Sequence, residues 1–147
     1  MIYLSENDRQ AFLEAREQGD LVVNRFWTAM VSRTERRAAS PGLYARGEDA
    51  EWWYPAAEYL SDAAIVYALQ PSNVLAVWLR DATLSIARRP ESDWVGPWYR
   101  DHDTRPAIGH LETAHLCWGL ATAVDLASDV FSVGERDEIL QALTDKG

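Results

Sequence analysis

Apolar residues recur along this chain at intervals of three and four, the period of helices that bury one face, and no segment reads as a convincing strand. Residues 5–18 open on Ser5 and Asp8, a Ser-x-x-Asp start, and carry Ala11, Phe12 and Ala15 on one side. Gly19 interrupts them. A second stretch, residues 20–37, places Val22, Val23, Phe26, Trp27, Met30 and Val31 at helical spacing. Ser40-Pro41-Gly42 then stops it, and a polar loop runs to Asp49.

Residues 50–69 hold Ala56, Tyr59, Leu60, Ala63, Ala64, Tyr67 and Ala68, and Pro71 marks the break after them. Residues 72–88 put Leu75, Trp78, Leu79, Ala82 and Ile86 inward and end at Arg88-Arg89-Pro90. So short a connection makes these two helices antiparallel neighbours. Residues 90–109 form a long loop containing Trp94, Gly96, Pro97, Trp98, Tyr99, His102, Arg105 and Pro106. Loops of that length in compact domains are often functional. A strongly apolar helix over 110–130 follows, and a last helix runs from the capping box Ser132-Val133-Gly134-Glu135 to Gly147. The expected fold is all-α, with five or six helices in antiparallel hairpins. It forms a single helical domain over 1–147: N-terminal helices at 1–42, a hairpin at 50–89, the aromatic loop at 90–109 and a second hairpin at 110–147. The two hairpins match in size and layout, as copies of an αα repeat would.

Composition narrows the partners. A chain of 147 residues, 48% hydrophobic and 25% charged, suits one globular domain rather than a disordered or collagen-like chain. No apolar run approaches the roughly 18 residues a membrane helix needs, so no membrane partner is expected. Residues 1–8 have neither the basic start nor the apolar run of a secretory signal, and localisation stays open. Cys117 is the only cysteine, which excludes an internal disulfide framework and a cysteine zinc cluster. The net charge of −9 is a poor match to nucleic acid, whose binding rests on neutralising phosphate. Lys146 is the only lysine among 14 basic residues. Arginine is the better fork for carboxylates, although genomic composition produces the same bias.

The helix over 110–130 is apolar almost all round, which predicts burial on most sides. At about 100° per residue, Leu111, His115, Trp118, Thr122, Asp125 and Asp129 fall within roughly 80° of one another. Such a polar and aromatic stripe suits the inner wall of a cleft, or equally a side that touches a loop or water. Glu112 and His115 have the i, i+3 spacing of di-metal bundles. His110 and His115 are about 140° apart, however, and only two convergent ligands can be named where a metal needs three or four. No metal is expected. Trp52, Trp53 and Tyr54 form one aromatic cluster, best explained as an anchor on the helical core. Trp94, Trp98 and Tyr99, with His102 and Arg105 in the same loop, suit a saccharide as well as they suit an anchor, because aromatic faces stack on sugar rings. No nucleophile elbow, phosphate-binding loop, dinucleotide fingerprint or zinc-protease motif occurs.

From Trp53 onward the order and spacing of segments resemble the N-terminal helical region of the heparinase II/III-like and alginate-lyase-like polysaccharide lyases. The resemblance is carried by the helix Ala57-Glu58-Tyr59-Leu60-Ser61-Asp62-Ala63-Ala64, then Val74-Leu75-Ala76-Val77-Trp78-Leu79-Arg80-Asp81-Ala82, then a tryptophan-bearing loop. His110-Leu111-Glu112-Thr113-Ala114 opens an inner helix that runs to Asp125, before Phe131-Ser132-Val133-Gly134-Glu135-Arg136. It covers about two thirds of the chain and departs at Val124-Asp125, where relatives commonly have Tyr-Asp. The resemblance implies an incomplete (α/α) toroid of hairpins whose inner helices line a sugar cleft, and β-elimination on a uronic acid polysaccharide. It implies no cofactor. Relatives are often periplasmic or secreted.

The family's catalytic Asn or Glu, His and Tyr mostly lie on later helices and in a C-terminal β-domain, so no catalytic residue is carried over. The isolated chain, as an N-terminal segment, is expected to be inactive and to self-associate through exposed inner-helix surface. The candidate substrate-binding residues are Trp98, Tyr99, His102, Arg105 and His115, with Arg105 as the fork for a uronate carboxylate. A competing plug arrangement buries Trp94 and Trp98 and pairs Arg105 with Asp101 or Asp103. Two other functions fit the same helices. One is a glycoside hydrolase toroid using Asp101, Asp103 and Glu112; the other is a non-enzymatic domain that binds a partner protein through exposed tryptophan faces.

Overall fold

Serine caps start three of the helices. In the computed structural model, which describes residues 3–39, 52–96 and 110–147, Ser5 and Asp8 close a capping box at the start of α1 (Glu6–Glu17). Asp20 caps α2 (Leu21–Ala38) by accepting from the Val22 and Val23 amides. Gly19 makes the sharp turn between them with φ of +78°, a conformation that costs glycine little. α3 (Trp53–Leu69) and α4 (Asn73–Ala87) form a hairpin broken at Pro71, and the Ser72 hydroxyl caps α4. α5 (Leu111–Leu126) and α6 (Val133–Lys146) form the second hairpin, and the box predicted at Ser132 and Glu135 caps α6. The described residues are all-helical and contain no strand.

The two hairpins stack in register. The most extensive helix contact joins α3 to α5, while α4 packs on α6 in a second layer. Two contacts fix the relation between α3 and α5. A Cβ added at Gly119 would lie 2.9 Å from Ala57 Cα, and the Tyr67 hydroxyl donates to Asp129 at 2.7 Å. Both pairs are 62 residues apart in sequence, so α3 and α5 run parallel. Arg80 pairs with Glu135, and Arg88 grips Glu138 with two bonds of 2.7 and 2.9 Å, which ties α4 to α6 in the same sense.

The core lies between the layers. Leu60, Leu79, Ile86, Leu116, Leu120 and Ile139 are fully enclosed there, and all five residues predicted inward on α4 are buried. A smaller core of Trp27, Met30, Val66 and Leu75 docks α2 beside the first hairpin. Asp62 on α3 reinforces that docking by accepting from Arg33 and Arg37, each at 2.7 Å, and the Arg37 guanidinium lies 3.7 Å from the Tyr59 ring centroid.

Three expectations need correction. The inner helix stops at Leu126 rather than Val130, because Ala127 leaves helical geometry and a 3-10 turn (Ser128–Val130) hands Asp129 to Tyr67. Serine and aspartate compete for the backbone there and weaken a continuing helix. On α2, Val22 and Phe26 are exposed, although they continue the spacing of buried Trp27 and Met30. The reason is α1, which touches α2 through Phe12 against Trp27 and buries no residue of its own. The loop also begins with a 3-10 turn (Glu91–Asp93) rather than irregular chain.

Candidate functional site

α5 is exposed along one side because its neighbours cover only part of it. α3 presses on the side of Gly119, whose missing side chain permits the close approach to Ala57. Around the helix, Leu111 is 62% and Trp118 44% exposed, while His115 is half-buried. These three are the first members of the predicted stripe. The later members differ: Asp129 is exposed, whereas Thr122 and Asp125 are not. Thr122 is buried and donates to the Trp118 carbonyl at 2.7 Å, and Asp125 accepts the Tyr3 amide at 3.0 Å. The stripe is therefore most open at the start of α5, and the N-terminal segment meets it at Asp125.

The open half meets α3 at Tyr54. The Tyr54 and His115 rings sit edge to face, with centroids 4.7 Å apart and planes at 90°. His115 Nδ1 lies 2.7 Å from the Leu111 carbonyl oxygen. A carbonyl oxygen only accepts, so Nδ1 carries a proton and Nε2 is the remaining polar atom of the ring. Nε2 has no partner among the described residues. Glu58, one turn beyond Tyr54 on α3, is exposed and enters no ion pair among the described residues. The arrangement offers an aromatic ring at Trp118, an imidazole nitrogen at His115 and an exposed carboxylate at Glu58.

Of the five predicted substrate-binding residues, His115 lies among the described residues, half-buried on α5. Trp98, Tyr99, His102 and Arg105 lie outside the described residues, as do Asp101 and Asp103. The start of their loop is pinned. Trp94 is fully buried, its carbonyl accepts from the Thr113 hydroxyl at 2.9 Å, and the Lys146 amine stands 5.3 Å from its ring centroid. Burial of Trp94 is what the plug arrangement requires. Trp52 and Trp53 are buried anchors, as predicted, and the Trp53 indole donates to the Asp93 carbonyl at 2.6 Å. Tyr54, read with them as an anchor, is half-buried and packs on His115.

Other candidates recede. His110 is buried and His115 is not, so the two do not share a face. Among the described residues no group of three or more His, Cys, Asp or Glu could hold a metal ion. Burial pushes the Cys117 thiol above its ordinary range, which leaves it a poor nucleophile. Glu112 lies against Gly96, where a Cβ would come within 2.6 Å of its carboxylate. No described helix is long and apolar enough to cross a membrane.

Sequence reasoning missed the contact of Tyr54 with His115 and passed over Trp118 as a candidate. Trp118 was within reach, since it stands one turn after His115 on the stripe already drawn. Comparison with protein-family models, curated proteins and solved structures finds no match to this chain.

Proposed function

We propose that this chain supplies stacked helical hairpins of an (α/α) toroid in a heparinase II/III-like polysaccharide lyase, and that the open face shared by α3 and α5 contacts an acidic polysaccharide. The observation that carries the reading is the parallel register of α3 and α5, with Tyr54 in ring contact with His115 one turn before the exposed Trp118. A toroid needs that repetition, because its inner helices must present the same face in succession. The order of segments that resembles the lyases supplies the substrate class.

In this reading the chain binds and orients, and no residue of it is assigned to proton transfer. β-Elimination requires a neutralised carboxylate, a base for the adjacent C–H and an acid for the leaving oxygen. Arg105 is proposed as the group that meets the carboxylate, through the two parallel bonds its guanidinium can make. The two alternatives have less behind them. Trp27, Trp52, Trp53, Trp78 and Trp94 are buried, so Trp118 is the one exposed indole among the described tryptophans, a small basis for a partner-protein surface. For a glycosidase, Glu112 is half-buried beside Gly96 rather than standing in the open face.

The test is incubation of the chain with uronate polymers, reading both binding and the absorbance of an unsaturated product. Binding without turnover is the expected result. No binding to any uronate polymer would remove the reading.

A further inference from the structure

The two hairpins are built alike and differ on one side. Ser72 and Ser132 cap α4 and α6, and buried Leu79 and Ala82 recur 60 residues later as buried Ile139 and Ala142. On α3 and α5 the match comes 57 residues apart. Leu69 ends α3 as Leu126 ends α5, and buried Ala56, Ala63 and Val66 recur as buried Thr113, Leu120 and Ala123. The stripe at positions 54, 57, 61 and 64 does not recur. Ala57, Ser61 and Ala64 are buried, whereas their counterparts Ala114 and Trp118 are exposed and Ala121 is half-buried. Half-buried Tyr54 likewise corresponds to exposed Leu111. On α3 this stripe is the side that faces α5, since Ala57 meets Gly119 and Tyr54 meets His115. The outer helices agree. Arg80 reaches Glu135 and Leu84 is buried, while their counterparts Leu140 and Thr144 are exposed. The free side of α5 and α6 is therefore the side on which α3 and α4 hold a second hairpin.

The other end of the stack is closed. Asp62, about 140° round α3 from Ala57, binds Arg33 and Arg37, and α2 docks there through Trp27 and Met30 against Val66 and Leu75. A stack with one free end joins a second copy through that end alone and closes at two. The size is sufficient. With 16 and 14 residues, α5 and α6 are about 24 and 21 Å long, and side by side about 10 Å apart they present roughly 450 Å² on each copy. With side-chain relief a pair buries about 1,000 Å², the lower bound of a specific interface. Leu111, Ala114, Trp118 and Ala121 carry no charge, so the net −9 of each copy is not concentrated at the contact. We infer that the free side of α5 and α6 binds the same side of a second copy of this chain, forming a twofold dimer centred on Ala114, Ala121 and Leu140. This goes beyond the saccharide reading and does not rest on it. Trp118 stands about 50° round α5 from Ala114 and Ala121, toward His115, and so borders both the contact and the saccharide side.

The experiment is sedimentation of the full chain, without sugar, from about 1 to about 300 µM, a range that brackets the micromolar affinity of an interface this small. A monomer–dimer equilibrium with no larger species is the expected result. Ala114→Glu and Leu140→Glu alter exposed positions, so each variant should fold, as circular dichroism and a thermal melt will check. Each should weaken dimerisation about tenfold or more, because the twofold axis brings like charges together. Phe26→Glu, on the exposed part of α2 at the closed end, should dimerise like the parent. A strictly monomeric chain across the range overturns the inference. Growth beyond two copies overturns it as well, since the stack would then be open at both ends. So does a dimer that survives both Ala114→Glu and Leu140→Glu, or one that is lost with Phe26→Glu. Uronate binding is read in a separate titration, so the dimer and the saccharide reading fail independently.

Discussion

Gly119 on α5 rests directly on the backbone of Ala57 on α3, so closely that a Cβ at position 119 would lie 2.9 Å from Ala57 Cα and 3.3 Å from its carbonyl oxygen. This contact sets the separation of the two hairpins. It brings Tyr54 and His115 within ring contact one helical turn away. Gly119→Ala should destabilise the fold by about 1–3 kcal/mol, the usual cost of overpacking, because backbone rather than a flexible side chain must move. Gly119→Leu should cost more and disturb the Tyr54–His115 contact. Urea denaturation measures the first effect, and the His115 ring resonances report the second. A neutral Gly119→Ala substitution would show that the helices are not held at this distance.

Acid should loosen the second layer. Glu135 is held down at about 2 from an ordinary 4.5, first by the hydrogen bond from Arg80 and then by the Ser132 backbone and hydroxyl. Asp8 is lowered by its bonds to Ser5, and Glu138 by Arg88. A carboxyl depressed in the folded state stabilises fully above its unfolded value and loses that contribution as pH falls through its folded value. For Glu135 the window runs from about 4.5 down to about 2. Glu135→Gln should therefore be less stable than the parent at pH 7 and nearly equal to it at pH 2. Thermal melts at the two pH values decide it, and an equal deficit at both would count against the Arg80–Glu135 tie.

Lys146 closes the far end of the same layer. Its amine donates to the Ala87 carbonyl at 2.5 Å and to the Arg89 carbonyl at 2.7 Å, satisfying oxygens left open at the end of α4. Lys146→Met keeps the stem and removes the donor, and should cost about 1–2 kcal/mol. A loss below roughly 0.3 kcal/mol by denaturant titration would mean that water serves those carbonyls equally well.

Trp118 should behave unlike the other described tryptophans. It is 44% exposed, whereas Trp53 and Trp94 are enclosed. Trp118→Ser should leave stability within about 0.5 kcal/mol, as surface changes do, while Trp53→Ala should cost about 3–5 kcal/mol. A Trp118→Ser loss as large as a core substitution would make that ring structural rather than a ligand contact.

The local devices of this fold were legible in the sequence, and the relations between distant segments were not. Ser5 with Asp8, Ser132 with Glu135, the break at Pro71 and the inward face of α4 depend on residues a few positions apart, and all are found as read. The end of α5 was misplaced because Asp129 answers to Tyr67, 62 residues away. Val22 and Phe26 follow an apolar rhythm that would bury them, yet no described neighbour covers them. Within the site, the stripe that contains His115 and Trp118 follows from helical period alone. That the Tyr3 amide would bond to Asp125, and that the Tyr54 ring would pack on His115, follows only from contacts between distant segments.

The central claim is that the open α3–α5 face meets an acidic saccharide, and the most direct measurement is a titration of uniformly labelled chain with a β-1,4-linked mannuronate tetrasaccharide, followed by nuclear magnetic resonance. The account predicts shifts concentrated at the Trp118 indole N–H, His115 Nε2 and the Tyr54 ring, with His115 Nδ1 keeping its proton. Shifts confined to the α4–α6 layer, or none at saturating sugar, would contradict it.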